Sequence, residues 1–337
     1  MKNFLKRKNI NLSAATYFIK ALGAMAYGLF ASLLVGTILN TIGKEFGISF
    51  LTEVLWPIAV KATGPAIAVS IAYALEAPDL VLFASTLVGL GANDLGGPVG
   101  VYIATIFAVE FGKVVSKETK LDIILTPTVT VLVGLGVAGL VGQPIENFMT
   151  FVGQLIMVST TKEPFLMGAL VSLIVGLALT LPISSAAICM MLSLSGLAGG
   201  AATVGCCCQM VGFAVISFRD NGLQGLLAQG LGTSMLQMPN IVKNPKIWLP
   251  PTLASIILGP LATVIFKMEN TSLGSGMGTS GLVGQISTFE AMGGFSSDIF
   301  IKIIVLQVLL PALVSYIIYS FMRAKGLIKD GDMKLNF

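Results

Sequence analysis

Apolar runs of about twenty residues recur along the whole of this 337-residue chain, and no motif constrains its fold as tightly. A run of that length crosses the ~30 Å hydrocarbon core of a bilayer as a helix. Composition agrees: 55% of the residues are hydrophobic and 11% are charged, against about 25% charged in a soluble chain. The reading is an all-α polytopic membrane protein, with about 8–10 transmembrane helices and one or two re-entrant hairpins. No stretch is long and polar enough for a soluble domain, so any soluble enzymatic output must come from a partner.

The net charge of +4 does not point to nucleic acid; its placement is more informative. Lys2, Lys6, Arg7 and Lys8 precede the first run, and Arg323, Lys325, Lys329 and Lys334 follow the last. The positive-inside bias then puts both termini in the cytoplasm, with an even number of spans. The first apolar run is too long for a cleaved signal and more spans follow it, so it reads as a retained helix. Cys189, Cys206, Cys207 and Cys208 are the only cysteines, and histidine is absent. Neighbouring residues on a helix project about 100° apart, so the triple cysteine run cannot converge on one ion. We expect no metal and no cofactor.

Spans are expected at about Thr16–Asn40, Leu51–Leu75, Ile123–Val141 and Phe165–Leu181. The run Leu80–Val109 is interrupted by Gly91–Gly100, GANDLGGPVG. It predicts either two short helices joined by a tight turn or one helix broken at depth. Asn147–Thr160 follows Gln143-Pro144 and has the mixed polarity of an interfacial helix. Ile183–Leu197 and Ala201–Phe218, separated by Gly199-Gly200, form a hairpin candidate. A shift toward Gly, Ser, Gln and Asn near residue 160 divides the chain into a scaffold and dimerisation half, 1–160, and a substrate half, 161–337.

Between Asn270 and Asp298 the sequence stops resembling a span, reading NTSLGSGMGTSGLVGQISTFEAMGGFSSD between two apolar runs. Irregular backbone at membrane depth survives only when buried in protein or lining a water-filled path. A re-entrant hairpin at a substrate site satisfies that condition, whereas a surface linker is the alternative for such a composition. Ionisable groups within spans mark function by default, and the candidates are Lys61, Asp94, Glu110, Glu290 and Lys302. Glu290 is the sharpest, because a carboxylate accepts from several hydroxyls and so suits a sugar-like ligand. Ser287 and Thr288 add small polar groups beside it. Asn93 and Asp94 sit in the interrupted run, where freed backbone meets a ligand or ion, or simply turns. Lys61 lies mid-span and would pair with a carboxylate or snorkel. Gln237 and Asn240 line a pocket or satisfy helix ends, and Ser184 and Ser185 open a helix able to face an anion.

No residue set for catalysis is present. Without histidine there is no histidine-based acid–base pair or triad, and no nucleotide-hydrolysis loop, voltage-sensor arginine series or potassium-filter sequence occurs. Transport or ligand sensing remains. The block Gly91–Gly134, the LPISSAAI segment Leu181–Ile188 and the NPKIWLPPTLAS segment Asn244–Ser255 resemble the EIIC membrane subunits of the bacterial phosphotransferase system. More narrowly, they are similar to the branch that includes the perfringolysin O regulator-like proteins. The resemblance implies a homodimer in the bacterial cytoplasmic membrane and a C-terminal substrate half with two hairpins. That half would move by an elevator-type mechanism, with separate soluble EIIA and EIIB phosphotransfer proteins as partners. Sugar-transporting members use a glutamate in a Gly-Ile-Thr-Glu type motif, for which Ile286–Glu290 is a loose counterpart, and a histidine, which has no counterpart here. A permease for a small polar, sugar-like solute is the leading expectation. An ion-coupled secondary transporter and a membrane sensor that regulates gene expression are the alternatives.

Overall fold

The computed structural model describes residues 2–160 and 162–335, and every regular element among them is helical. Two compact units result, Met1–Phe148 and Met149–Phe337. Thr161, the expected first residue of the second half, lies outside the described residues. The first unit comprises α1 (Lys2–Arg7), α2 (Thr16–Lys44), α3 (Phe50–Ala74), α4 (Asp79–Val115) and most of α5 (Asp122–Thr160). The second holds the end of α5, then α6 (Pro164–Thr180), α7 (Ser185–Met191), α8 (Gly196–Ile216), α9 (Phe218–Leu227) and α10 (Met238–Lys243). It continues with α11 (Pro245–Ile265), α12 (Ser272–Ser275), α13 (Val283–Ala291) and α14 (Ser297–Ala324). Seven of these, α2 to α5, α8, α11 and α14, are long and apolar enough to cross a membrane, and α6 is a shorter apolar helix. The protein is a multi-pass membrane protein.

The interrupted run is a hairpin. Helical geometry fails at Gly96 and Gly97, and Gly97 has φ +56° and ψ −155°, a region that is essentially glycine-only. A straight helix would hold Val81 and Gly112 about 46 Å apart at ~1.5 Å per residue. Instead, a Cβ on Gly112 would lie 2.9 Å from the Val81 side chain, and one on Gly100 would lie 3.0 Å from the Ala92 carbonyl. Residues 79–95 and 98–115 therefore run antiparallel, the tight-turn arrangement of the two left open by the sequence. Helix α5 lies along both arms, with Gly134 against Val88 and Ala108.

Two expectations need correction. Asn147–Thr160 is no separate interfacial helix but the end of α5, which continues through Pro127 and Pro144 without non-helical backbone. A proline inside a membrane helix is tolerated where neighbouring groups satisfy the freed carbonyl. Gly199-Gly200 is likewise no turn: both residues lie inside α8. Gly200 is there for contact, since a Cβ would sit 1.9 Å from the Met268 carbonyl oxygen.

Close backbone approach at small residues holds each unit together. In lipid, helices gain nothing from hiding apolar surface, so van der Waals packing must drive their association. Gly64 of α3 and Gly89 of α4 meet backbone to backbone, as do Gly168 of α6 and Gly259 of α11. Helix α8 is the core of the second unit, with 89% of its most apolar stretch buried. Its Gly205 abuts the Ser172 backbone of α6, and Gly212 abuts Ser315 of α14. The cysteines are free and buried, and no metal-binding group of His, Cys, Asp or Glu occurs among the described residues.

Candidate functional site

The 270–288 part of the Gly/Ser-rich segment packs against α8 and does not hang free. Residues 274–276 and 278–281 are buried. Gly278, at φ +54°, rests on Cys206 and Cys207 of α8, and a Cβ on Gly284 would lie 2.1 Å from the Gly278 carbonyl oxygen. The neighbouring segment 181–195, which contains α7, is tied to it. Ser185 Oγ donates to the Gly276 carbonyl at 2.7 Å, and Ser275 Oγ donates to the Leu194 carbonyl at 2.7 Å. Gly196 and Asn270 exchange backbone hydrogen bonds at 2.9 and 3.2 Å.

A buried polar network fixes the hairpin from within. Asn270 Nδ2 donates to Thr203 Oγ1 of α8 at 2.6 Å, to the Gly284 carbonyl at 3.0 Å and to Thr288 Oγ1 at 3.2 Å. Gln307 Nε2 of α14 donates to Thr288 Oγ1 at 3.0 Å, and Gln285 Nε2 donates to Gln307 Oε1 at 2.9 Å. Thr203, Thr288 and Gln307 are fully buried, and Asn270 is nearly so. Two atoms of the hairpin, Gln285 Oε1 and Ser280 Oγ, are buried with no hydrogen-bond partner. Native interiors hold few such groups.

Glu290 lies on the other side of α13. It is exposed and makes no ion pair among the described residues. Gln285 and Glu290 are five residues apart, so their side chains project about 140° from one another on a helix. The inward face is thus locked by amides while the carboxylate stays open. Phe295, 78% exposed, packs on Phe289 with ring centroids 5.1 Å apart and on Phe300 at 6.2 Å. An open carboxylate and, five residues further along the chain, an open aromatic face result.

The chain matches the family described as Phosphotransferase system, EIIC over residues 19–335. It belongs to the phosphotransferase system EIIC family. No curated protein and no solved structure matches it. An EIIC protein is the membrane permease component of phosphotransferase transport and cooperates with EIIA and EIIB phosphotransfer proteins.

The structure distributes the other predicted residues of this EIIC protein. Thr288 belongs to the buried network, and Ser287 packs against Gly274. Ser185 ties the two hairpin segments together, and Ser184 lies beside it, half-buried. Gln237 and Asn240 hold the C-terminal segment: Gln237 Nε2 donates to the Met333 carbonyl at 3.0 Å, and Asn240 Nδ2 to the Lys334 carbonyl at 3.0 Å. Asn93 and Asp94 belong to the first unit, near the turn of the α4 hairpin, where Asn93 packs against Gly64 and Asp94 is exposed. Lys61 is exposed and forms no ion pair among the described residues. Sequence reasoning missed Asn270, Gln307 and Thr203 as a connected set. Their signal was an amide or hydroxyl inside apolar sequence, as in the IVLQVLL context of Gln307.

Proposed function

We propose that this EIIC protein moves a small polar, sugar-like solute across the bacterial cytoplasmic membrane, with both termini on the cytoplasmic side. It would do so as a homodimer, with 1–160 serving as scaffold and dimerisation half and 161–337 as the substrate half that moves in elevator fashion. The observation that carries this reading is the open face of the 270–297 hairpin. Among the described residues Glu290 has no ion pair, Phe295 is exposed in the following turn, and the opposite face is held by a buried network. A carboxylate accepts hydroxyl hydrogen bonds, and an aromatic face packs against the C–H side of a sugar ring. A site works best when the residues behind it hold its geometry. Asn93, Asp94, Ser184, Ser185, Gln237 and Asn240 complete the candidate set by helping to shape the two units.

The test is a thermal-unfolding screen of the full-length protein in detergent against sugars, sugar alcohols, sugar acids and monovalent cations. A ligand specific to the folded state raises apparent stability by mass action. The expected outcome is a sugar-type response that weakens about ten- to a hundredfold in Glu290→Gln, the worth of one charge-assisted hydrogen bond. A response unchanged in that variant moves the site to Asn93–Asp94. A response to sodium alone replaces the reading with ion-coupled transport, and a silent panel replaces it with a regulatory role.

A further inference from the structure

The first unit contains a cavity of about 660 Å³ between the N-terminal segment and the ends of α2, α3 and α4. Lys6, Lys20 and Lys113 line it, opposed by one lining carboxylate, Glu76. Leu5 and Ile10 give part of the wall an apolar surface. The floor is unusual. Lys113 has a side chain only 1% exposed, and its one ion pair among the described residues, to Glu110, is long. Glu110 Oε2 lies 3.5 Å away, beyond a good hydrogen bond, and the same carboxylate accepts from the Tyr17 hydroxyl at 3.1 Å. The closest partner of Lys113 Nζ is the Asn9 backbone carbonyl at 3.0 Å. An ammonium has three donors, and two are used among the described residues.

A buried cation is costly unless paired and fully hydrogen-bonded, so Lys113 favours any anion that can reach the cavity floor. Lys20 and Glu76 form a 2.8 Å ion pair at the rim, both half-exposed or more. Exposed pairs of this kind contribute little, so Lys20 can change partner and Glu76 can turn into solvent. Lys6 is exposed and has no ion pair among the described residues. Two flexible lysines at the rim and a fixed one at the floor suit a tetrahedral anion with several acceptor oxygens, as phosphate-binding lysines do elsewhere.

We propose that this cavity binds a phosphate group, carried either by an anionic lipid headgroup or by free phosphate. The apolar wall beside the lysines matches a headgroup with its acyl chains still attached. Such a ligand would tie α1 to the ends of α2 and α4, and the site is separate from the hairpin of the second unit.

The experiment uses delipidated full-length protein in neutral detergent. Thermal unfolding is followed while titrating phosphatidylglycerol, phosphatidylcholine or inorganic phosphate, with sodium chloride matched throughout. The expected result is saturable stabilisation by phosphatidylglycerol and none by phosphatidylcholine, with apparent Kd at least tenfold weaker in Lys113→Gln and in Lys6→Gln. Lys6→Gln touches no internal pair, so it decides the matter if Lys113→Gln does not fold. Stabilisation by inorganic phosphate alone, lost in the same variants, assigns the site to free phosphate and supports the proposal. Equal responses to both lipids with none to phosphate would overturn it. So would a phosphatidylglycerol or phosphate response within threefold of wild type in Lys6→Gln.

Discussion

The amide pair Gln285–Gln307 gives an asymmetry that a simple count of hydrogen bonds would not. Gln307 uses both ends of its amide: Oε1 accepts from Gln285 at 2.9 Å, and Nε2 donates to Thr288 at 3.0 Å. Gln285 uses one end. Among the described residues its Oε1 has no partner, and the only other acceptor of its Nε2 is Cys207 Sγ at 3.6 Å. Gln307→Leu therefore leaves the Gln285 amide with a weak thiol acceptor and nothing else, a stranded buried group costing about 1–3 kcal/mol. Thr288 keeps its bond from Asn270, so the loss there is a net hydrogen bond of about 1 kcal/mol. The single variant should lose about 2–4 kcal/mol on these figures. Gln285→Leu strands Gln307 Oε1, at about 1–3 kcal/mol, but also removes the buried Gln285 acceptor that was already unsatisfied, an offset of similar size, so it should stay within about 1 kcal/mol of wild type. The double variant removes both polar groups and should recover most of the Gln307→Leu loss, a coupling of about 1–3 kcal/mol.

Equilibrium unfolding in mixed micelles of sodium dodecyl sulfate and a mild detergent measures this. Trp248 serves as the reporter in a Trp56→Phe background, since these are the only two tryptophans. Trp248 sits in the same unit and donates to Gln209 at 2.9 Å. The reasoning fails if the two single losses are equal, or if the double variant shows their sum within about 0.5 kcal/mol.

Other consequences are as specific. Gly97→Ala forces a side chain into glycine-only backbone and should cost about 1–3 kcal/mol, whereas Gly136→Ala, where a Cβ meets nothing within 4 Å, should be neutral or mildly stabilising; equal thermal shifts would contradict the hairpin turn. Glu118 is held below the usual glutamate range, chiefly by its hydrogen bond from Lys8 and further by the Arg7 charge. Because the folded value is the lower one, this contribution is present above the unfolded value and disappears as pH falls through the folded value. A spin label at Leu12 should therefore gain mobility on acidification, and Glu118→Gln should show the mobile spectrum at neutral pH; a wild-type spectrum in that variant counts against the pinning. Truncation after Lys329 removes the carbonyls of Met333 and Lys334 that accept from Asn221, Gln237 and Asn240, at about 1 kcal/mol for each lost bond. An unchanged apparent Tm after truncation would show that the tail adds nothing to the second unit.

Much of this architecture can be read from local sequence, and the reason is physical. Lipid leaves the backbone one economical solution, so apolar length alone locates α2, α3 and α6 to within a few residues of their observed ends. The break at Gly91–Gly100 was legible as well, because Gly97 needs backbone that other residues avoid. Its outcome was not legible, since a kink and a reversal ask for the same local residues. What separates them is the contact of Val81 with Gly112, thirty-one positions along the chain. The same limit explains Gly199-Gly200. Two adjacent glycines signal a turn when only neighbours are counted, yet here they admit the Met268 backbone against α8, a demand set by a segment about seventy residues away.

The 270–297 hairpin shows where the limit lies for function. Its composition announced irregular, buried chain, and the residues now found inside it bear that out. Which side of α13 would face inward could not be read from composition, because Gln285, Ser287, Thr288 and Glu290 are all polar. The selection is made by partners on other elements. Thr203 and Gln307 stand opposite Asn270 and Thr288, so those groups turn inward and are satisfied. Among the described residues no cation stands opposite Glu290, and burying an unpaired carboxylate is prohibitive. Its outward position is therefore dictated by the absence of a counter-charge, and that leaves the one carboxylate of α13 available to a ligand.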